Sequence, residues 1–452
     1  MKIVSDNPNP RAYIGILCPH IFFYFALKSV YKNLANAEFI LDFTASPIGF
    51  TYPEWYKNRM RKALTKAGVF WRDYENSLLR PGEFFSKYTT LVAAFHSGLI
   101  AHPCNNKKKK ARVFYSTAKE SWVFALWNVY FDLILCPSDF YTHKINRLYG
   151  PIAKTVGEPK LDALLDSPIE NFLTLNQIIL DPLKPTLLYV PTWGALSSEE
   201  IIIPQLLQFL SQYNIIYKPH HMTFMSRYDF ISNLSRASEI QIATEDVSLM
   251  ELLKIEALII SDNSGAIFDA LHLNKSFILI DTIKDSPEDI YTETPFFTFS
   301  GGKFTGVATT AQSLEQIIKE EGREIAPVVR IHKKNTWQNG SLKNALQQAL
   351  NAASNEVFKK RQEALHNEYF EKNDGQSGLR AASAIRELAD QADLVQNELR
   401  SYLEEFKIRV TNQTEAKMSL KSQSIDIGSS EILRIKKLPY FQKIKTVFDL
   451  FF

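Results

Sequence analysis

Four of the nine histidines in the sequence follow directly on predicted β-strands, and these four are the side chains best suited to proton transfer. They are His20, His96, His220 and His221. The imidazole ring titrates near neutral pH, so it can accept or donate a proton under physiological conditions. One such histidine taken alone is more often a capping or packing residue. As a group they favour a catalytic site, because open sheets bind ligands at the carboxyl ends of parallel strands.

A second segment whose residues could bind a ligand runs from Ser261 to Ala266 (SDNSGA), between a predicted strand and a predicted helix. Asp262, Asn263 and Ser264 are residue types that cap helices, and glycine at position 265 permits close approach of the backbone to a ligand. The free N–H groups at a helix start attract phosphate. Without further support, an ordinary capped helix start is the favoured explanation of this segment.

Lys218, directly before Pro219-His220, places a cation at the end of a neighbouring strand. With the Ser261–Ala266 segment it predicts two donor-rich elements that face one point, which suits a diphosphate and its leaving group. The sequence contains no Walker loop, GxGxxG, HExxH, paired CxxC or GxSxG motif. The run Lys107–Lys110 predicts a solvated loop, with contact to an anionic acceptor or a lipid head group as the alternative.

The elements that must position these residues alternate between short apolar runs and helical patterns, which indicates α/β units with parallel sheets. Two series of strands predict two Rossmann-like halves that face a cleft, with the boundary near residues 150–158. The predicted strands are Tyr13–Cys18, Phe39–Phe43, Thr90–Phe95, Arg112–Tyr115 and Leu133–Cys136, then Thr186–Val190, Ile215–Tyr217, Ile240–Ala243, Ala257–Ile260 and Phe277–Ile280.

The domain organisation predicted from these patterns comprises five parts: Rossmann-like domains over 1–150 and 151–335, a helical extension over 336–410, a polar linker over 411–430 and a basic tail over 431–452. Five Lys or Arg and one Asp among large apolar residues give the tail an amphipathic character. It predicts contact with an anionic membrane surface, with docking of a terminal helix on the body as an equally weighted alternative.

Composition excludes several classes of protein. The 52 Lys and Arg residues nearly balance the 49 Asp and Glu residues, so charge gives no reason to expect nucleic acid as a partner. Three cysteines without metal-ligand spacing indicate a reducing compartment. The apolar run Tyr13–Leu27 is too short to span a bilayer, and the first residues do not resemble a signal peptide. A cytoplasmic location is therefore expected, with peripheral attachment to the inner face of the membrane through the tail.

Taken in order, seven segments resemble motifs of the CDP-glycerol glycerophosphotransferase family, the teichoic-acid and capsule polymerases and primases of bacterial envelopes. The resemblance spans roughly residues 96 to 386. The segments are AFHSG at 94–98, DLILCPSDFY at 132–141, GEPKLD at 157–162, LLYVPTW at 187–193, KPH at 218–220, ALIISDNSGAIFD at 257–269 and DGQSGLR at 374–380. Two departures are Lys160 and Gly194, which stand where the family usually has arginine.

The resemblance implies a GT-B architecture, with the CDP-polyol donor on the C-terminal domain and the acceptor on the N-terminal domain. It implies that His96 is the general base and that His220, with Lys218, stabilises or protonates the leaving side. Ser264 and Gly265 would bind phosphate. The other candidate donor-site residues are Asp262, Asn263, Asp269, Thr192 and Ser138, and the candidates without an assigned role are His20, Gly98 and Arg380.

The predicted activity is therefore transfer of a polyol phosphate to a hydroxyl of a cell-envelope glycan or lipid-linked acceptor, with release of CMP. One alternative is a GT-B glycosyltransferase that uses a nucleotide sugar, and another is a non-enzymatic envelope scaffold. No cofactor is implied with certainty, and a divalent metal is left open because no dedicated carboxylate cage is evident. The identity of the polyol, the number of units added and self-association are also left open.

Overall fold

A computed structural model describes most of the chain up to residue 281 and four stretches beyond it. His96, Asn263, the linker and the basic tail lie outside the described residues. The described residues are 13–43, 52–95, 97–116, 123–124, 126–165, 169–194, 197–237, 239–262, 264–273, 275–281, 329–332, 341–353, 372 and 374–391.

The first sheet has seven strands in the order β3-β2-β1-β4-β5-β6-β7, and all its neighbouring pairs are parallel. Most of its strands are buried along their length, as expected for a parallel sheet covered on both faces. All five strands predicted for this half are present, and the short edge strands β3 and β7 were not predicted. The strands are β1 (Tyr13–Cys18), β2 (Ala37–Leu41), β3 (Trp71–Asp73), β4 (Tyr88–Ala93), β5 (Lys109–Val113), β6 (Leu133–Cys136) and β7 (Ala153–Thr155).

The lysine run differs from its prediction, because Lys109 and Lys110 lie in β5 and are buried. Nζ of Lys109 donates to the carbonyls of Ala389 (3.1 Å) and Gln391, at the end of a C-terminal helix. A helix C-terminus presents unpaired carbonyls and partial negative charge, which stabilise a buried ammonium group. The predicted solvated loop is therefore wrong for these two lysines, whereas Lys107 is exposed.

The second sheet has six parallel strands in the order β10-β9-β8-β11-β12-β13. Its order repeats that of the first six strands of the first sheet, and in both sheets the order reverses beside the first strand. That reversal creates the crevice in which open α/β sheets bind ligands. The strands are β8 (Thr186–Tyr189), β9 (Asn214–Tyr217), β10 (Gln241–Ile242), β11 (Ala257–Ser261), β12 (Phe277–Asp281) and β13 (Val329–His332), the last of which was not predicted.

The helices connect the strands and cover the sheets. None of the described helices is both long enough and apolar enough to cross a membrane. Short 3₁₀ helices also occur, and the one over Pro159–Leu165 lies between the two sheets in the chain. The helices are α1 (Ile21–Lys32), α2 (Glu54–Lys66), α3 (Pro81–Phe85), α4 (Asp139–Tyr149), α5 (Ile169–Leu175), α6 (Glu199–Leu206), α7 (His221–Ser226), α8 (Tyr228–Ala237), α9 (Leu249–Leu252), α10 (Ala266–His272), α11 (Ser341–Ala353) and α12 (Ser377–Asp390).

The C-terminal helices pack on different halves of the molecule. Helix α11 packs on β12 and β13 of the second sheet, whereas α12 packs on α1 of the first. The carboxylate of Asp162 holds the start of α12 by accepting hydrogen bonds from the backbone N–H groups of Ser377 (3.2 Å) and Gly378 (2.6 Å). The segment predicted as one extension over 336–410 therefore completes the helix layers of both sheets.

The change from one sheet to the other falls later than residue 150. Strand β7 follows that position and pairs in parallel with β6 of the first sheet. The chain enters the second sheet only at β8, after the 3₁₀ helix Pro159–Leu165 and α5. The domain limit at 150 thus lies one strand too early, whereas the boundary region predicted over 150–158 contains β7. A three-residue strand without an apolar pattern is hard to recognise in sequence.

Candidate functional site

A cleft of about 270 Å³ lies between the two sheets, and segments that follow the carboxyl ends of their strands form its walls. Segments after β1, β4 and β5 contribute from the first sheet, and segments after β8, β9, β10 and β11 contribute from the second. This is the facing arrangement expected from the sequence. Of the candidate residues, the cleft brings together Thr192, Lys218, His220, Ser264, Gly265 and Asp269.

His220 begins α7 and lines the cleft. Its Nδ1 accepts a hydrogen bond from the backbone N–H of Met222 at 3.2 Å. In the neutral ring the proton is therefore assigned to Nε2, which gives this atom the role of a hydrogen-bond donor. The ring stacks on Trp193 with centroids 6.2 Å apart. The cap and the stacking together fix the orientation of the imidazole.

His221 and His20 continue a row of rings from the second sheet to the first. The centroid of His221 lies 4.0 Å from that of His220 and 4.5 Å from that of His20. His20 contacts the hydroxyls of Tyr56 (3.1 Å) and Tyr52 (2.9 Å), and burial lowers its pKa to about 3. His20 is therefore neutral at physiological pH and does not line the cleft, whereas His221 does.

Lys218 supplies a cation to the cleft directly after β9. Its Nζ donates to the carbonyl of Thr244. Burial lowers its pKa to about 8, although the carboxylates of Glu245 and Asp246 act in the opposite direction. The ammonium group is therefore charged at neutral pH and only partly neutralised by these carboxylates, a state suited to a phosphate ligand.

Asp262 has a different position from the one predicted, because it is fully buried behind the cleft. Its carboxylate accepts hydrogen bonds from the backbone N–H of Thr192 (2.6 Å) and from both N–H and Oγ of Ser198 (2.8 Å each). Burial raises its pKa to about 7, although the hydrogen bonds from these three donors act to lower it. Asp262 is thus a positioning residue for the loop after β8, and Thr192 is the residue of that loop that lines the cleft.

Ser264 and Gly265 line the cleft at the start of α10, as predicted. The Oγ of Ser264 accepts a hydrogen bond from the backbone N–H of Ala266 at 3.3 Å, so this serine caps the helix. The helix start is therefore capped and also faces the cleft, and binding of phosphate there stays a prediction.

An ion pair that the sequence did not predict connects the two halves at the cleft. Nζ of Lys160 pairs with Asp269 of α10, donates to the carbonyl of Tyr115 at 2.8 Å and lies 3.8 Å from Oε1 of Glu158. Burial raises the pKa of Glu158 to about 7. The one sequence feature that could have indicated this ion pair is the lysine at position 160 of the GEPKLD motif, where arginine is usual. Asp269 is therefore paired with a cation from the linking segment.

The wall from the first sheet is mainly apolar. Ile21, Phe22 and Phe25 reach the cleft from α1, and Phe95 and Tyr115 reach it from the segments after β4 and β5. The apolar run at the start of the chain predicted a strand and a buried helix, and both are present. Its contribution to the cleft was not predicted, because the face that α1 presents depends on where the second sheet packs.

Three candidates lie elsewhere. Ser138 is fully buried at the start of α4, and Gly98 is exposed with open space around it. Arg380 pairs with Asp374 (2.8 Å) and donates from Nε to the carbonyl of Val156 (2.8 Å), so it fixes α12 to the first sheet. None of the three lines the described cleft. Among the described residues, no three His, Cys, Asp or Glu side chains are grouped to hold a metal ion.

Two parallel Rossmann-like sheets that face a cleft define the class as the GT-B fold. Solved structures of the wall teichoic acid polymerase TagF are similar to this chain. One is 15% identical with a TM-score of 0.53, and a histidine-to-asparagine variant soaked with CDPG is 14% identical with a TM-score of 0.54. Each match covers 84% of this chain and 89% of TagF. The expected resemblance is thus confirmed at the level of the fold, whereas no protein-family model and no curated protein matches the sequence.

Proposed function

We propose that this protein transfers a polyol phosphate, of the glycerol or ribitol type, from a CDP-activated donor to a hydroxyl of a cell-envelope glycan or glycolipid. The observation that carries the proposal is the convergence of Lys218 and His220 with Thr192 and Ser264 in one cleft between two Rossmann-like sheets. These residues offer a cation and several hydrogen-bond donors, which suit a diphosphate. The similarity of the fold to TagF, one form of which was soaked with CDPG, supports the choice of donor.

In the proposed reaction, the acceptor oxygen forms a bond to the β-phosphorus of the donor while the bridging P–O bond breaks. CMP leaves with the electron pair of that bond, and the hydroxyl proton passes to a base, for which we propose His96. The Nε2–H group of His220 and the ammonium group of Lys218 stabilise negative charge on the phosphate oxygens. Phosphoryl transfer depends mainly on such positioning and charge stabilisation.

The apolar wall from the first sheet supports placement of the acceptor on that side. Phe22, Phe25 and Phe95 offer few polar groups for a diphosphate, whereas aromatic faces suit the less polar parts of a glycan or a lipid-linked acceptor. The donor then occupies the polar side and the acceptor the aromatic side, with the two reacting groups between them.

The test is incubation of the full chain with a panel of CDP-polyols and UDP-sugars, with and without envelope glycolipid extract, followed by chromatography of the released nucleotide. The proposal expects CMP from a CDP-polyol in the presence of acceptor. Release of a nucleoside diphosphate would instead identify a glycosyltransferase. The His96→Ala variant should lose most CMP release, and retention of near wild-type release would remove His96 from the mechanism.

A further inference from the structure

Two buried polar side chains on the second-sheet side of the cleft lack protein partners for part of their hydrogen-bonding capacity. Glu245 and Ser248 both line the cleft and are each 5% exposed. Within the described residues, Oε1 and Oε2 of Glu245 and Oγ of Ser248 have no partner in hydrogen-bond geometry, although Oε1 lies within ion-pair distance of Arg59. Buried polar atoms without partners destabilise a fold, so such atoms at a cleft wall indicate groups that a ligand completes.

The rest of this corner has the features of a subsite for a flat heterocycle. Leu249 and Met250 line the cleft beside the two polar residues and provide apolar surface. Small-molecule sites combine such surface with a few fixed polar groups. Arg59 of α2 fixes the carboxylate of Glu245, since its Nε lies 2.9 Å from Oε1. One carboxylate oxygen is therefore held from the first sheet and the other remains for a ligand.

We propose that Glu245 and Ser248 form the subsite for the base of the nucleotide donor, and that Glu245 selects a pyrimidine with an exocyclic amino group. This inference rests on the proposed function, in which the cleft binds a nucleotide-activated donor. A carboxylate accepts a hydrogen bond from the amino group of cytosine. The corresponding atom of uracil is a carbonyl oxygen, which would leave Oε2 of the buried carboxylate without a donor and opposed by a second acceptor. The Ser248 hydroxyl both donates and accepts, so it serves either base.

The test is isothermal titration of the full chain with CMP, UMP, AMP and the monophosphate of 2-pyrimidinone riboside, which lacks the amino group. The wild-type protein should bind CMP about tenfold or more tightly than UMP and the deaminated analogue. In Glu245→Gln, the preference for CMP over UMP should fall to within about threefold, because an amide can donate as well as accept.

The matched control is Asp246→Asn. Asp246 also pairs with Arg59, at 2.8 Å from Nη2, but does not line the cleft, so this variant should keep the preference for CMP. Equal binding of CMP and UMP by the wild-type protein would overturn the subsite and leave the proposed donor class standing. Tighter binding of UMP or AMP than of CMP would overturn both the subsite and the choice of a CDP-activated donor. Absence of binding by any nucleotide would overturn the donor class itself.

A thermal denaturation profile of each variant separates loss of the fold from loss of the preference. Should Glu245→Gln not fold, the comparison of CMP with the deaminated analogue on the wild-type protein still decides the inference. A Glu245→Gln variant that folds and loses affinity equally for CMP and UMP would overturn the selective role of Glu245.

Discussion

The first sheet presents aliphatic and aromatic side chains to the cleft, whereas the second presents a lysine, histidines, hydroxyls and carboxylates. The strand order of the second sheet matches that of the first six strands of the first, and both place the ends of their parallel strands at the cleft. Topology therefore determines where a ligand binds in each half, and the segments after the strands determine which chemistry it meets. Phe22 of the first half and Lys218 of the second represent the two sides.

The largest expected effect concerns His220. Replacement by alanine should reduce CMP release about 10²–10³-fold, because a donor fixed on the phosphate side is lost. His220→Asn should cause a similar loss while retaining an acceptor for the Met222 N–H, which separates the chemistry from the helix cap. Steady-state assays of CMP release measure both effects. Near wild-type release by the asparagine variant would place the important polar group elsewhere.

His102 provides the matched control for this experiment. Its Nδ1 accepts from the backbone N–H of Cys104 at 3.3 Å, which repeats the cap made by His220, but it does not line the cleft. His102→Ala should therefore leave CMP release close to that of the wild-type protein. A large loss in this variant would show that removal of such a cap impairs activity indirectly.

The second prediction tests the close packing of α12 on α1 of the first half. A Cβ atom at Gly378 would lie 2.6 Å from Oγ and 2.7 Å from the carbonyl carbon of Ser29, so Gly378→Ala should destabilise the protein by about 2–3 kcal/mol. Gly98→Ala, at a position with nothing within 4 Å of the added atom, should change stability by less than about 0.5 kcal/mol. Urea unfolding measures both values. Equal stability of the two variants would contradict close packing of α12 on α1.

The third prediction uses the pKa of Lys218, about 8, which burial lowers. In the proposed function the ammonium form binds phosphate, so kcat/KM for the donor should be steady below about pH 7, fall to about half at pH 8 and fall about tenfold by pH 9. In Lys218→Arg the guanidinium stays charged, so this decline should disappear. The pH profile of CMP release at limiting donor concentration measures this decline in both proteins.

Lys275 offers a control on the same half, because its Nζ also donates to a backbone carbonyl, that of Ile255 at 3.2 Å, away from the cleft. Lys275→Gln should preserve both the activity and its decline above pH 8. A decline of equal size in Lys218→Arg would assign the pH dependence to another group.

Much of the architecture could be predicted from sequence because apolar runs report burial. The ten predicted strands are all present, whereas the missed strands β3 and β7 are three-residue edge strands with little apolar pattern and β13 is a four-residue edge strand. Charged residues in β5 were misinterpreted for a related reason. Lys109 is held by carbonyls of a helix about 280 positions later in the chain, and no local pattern records such a partner.

The candidate site was predictable where function depends on position at a strand end. Lys218 and His220 line the cleft for this reason. Asp262 looked like a ligand-facing carboxylate, but its partner Ser198 is 64 positions away, and it supports a loop instead. Glu245 carries no motif, and only its burial beside the cleft distinguishes it from other acidic residues. Long-range partners and burial are thus the information that sequence patterns lack.

The smallest expected effect concerns Glu158, in the segment that connects the two halves. Burial raises its pKa from 4.5 to about 7, so the folded state holds this proton more tightly than the unfolded chain does. Its contribution to stability is therefore full below about pH 4.5 and is lost as the pH rises through 7. Since glutamine does not titrate, Glu158→Gln should gain about 1–2 kcal/mol relative to wild type between pH 6 and pH 8.

Urea unfolding of both proteins at the two pH values measures this gain, and Glu170→Gln on the exposed surface of α5 should show none. The sign of the result is informative. Lys160 lies 3.8 Å from Glu158 and is already paired with Asp269, so a second carboxylate charge is only partly compensated. A loss of stability in Glu158→Gln at pH 8 would instead mean that Lys160 needs both carboxylates, and that the connection between the halves is held by a fully charged triad.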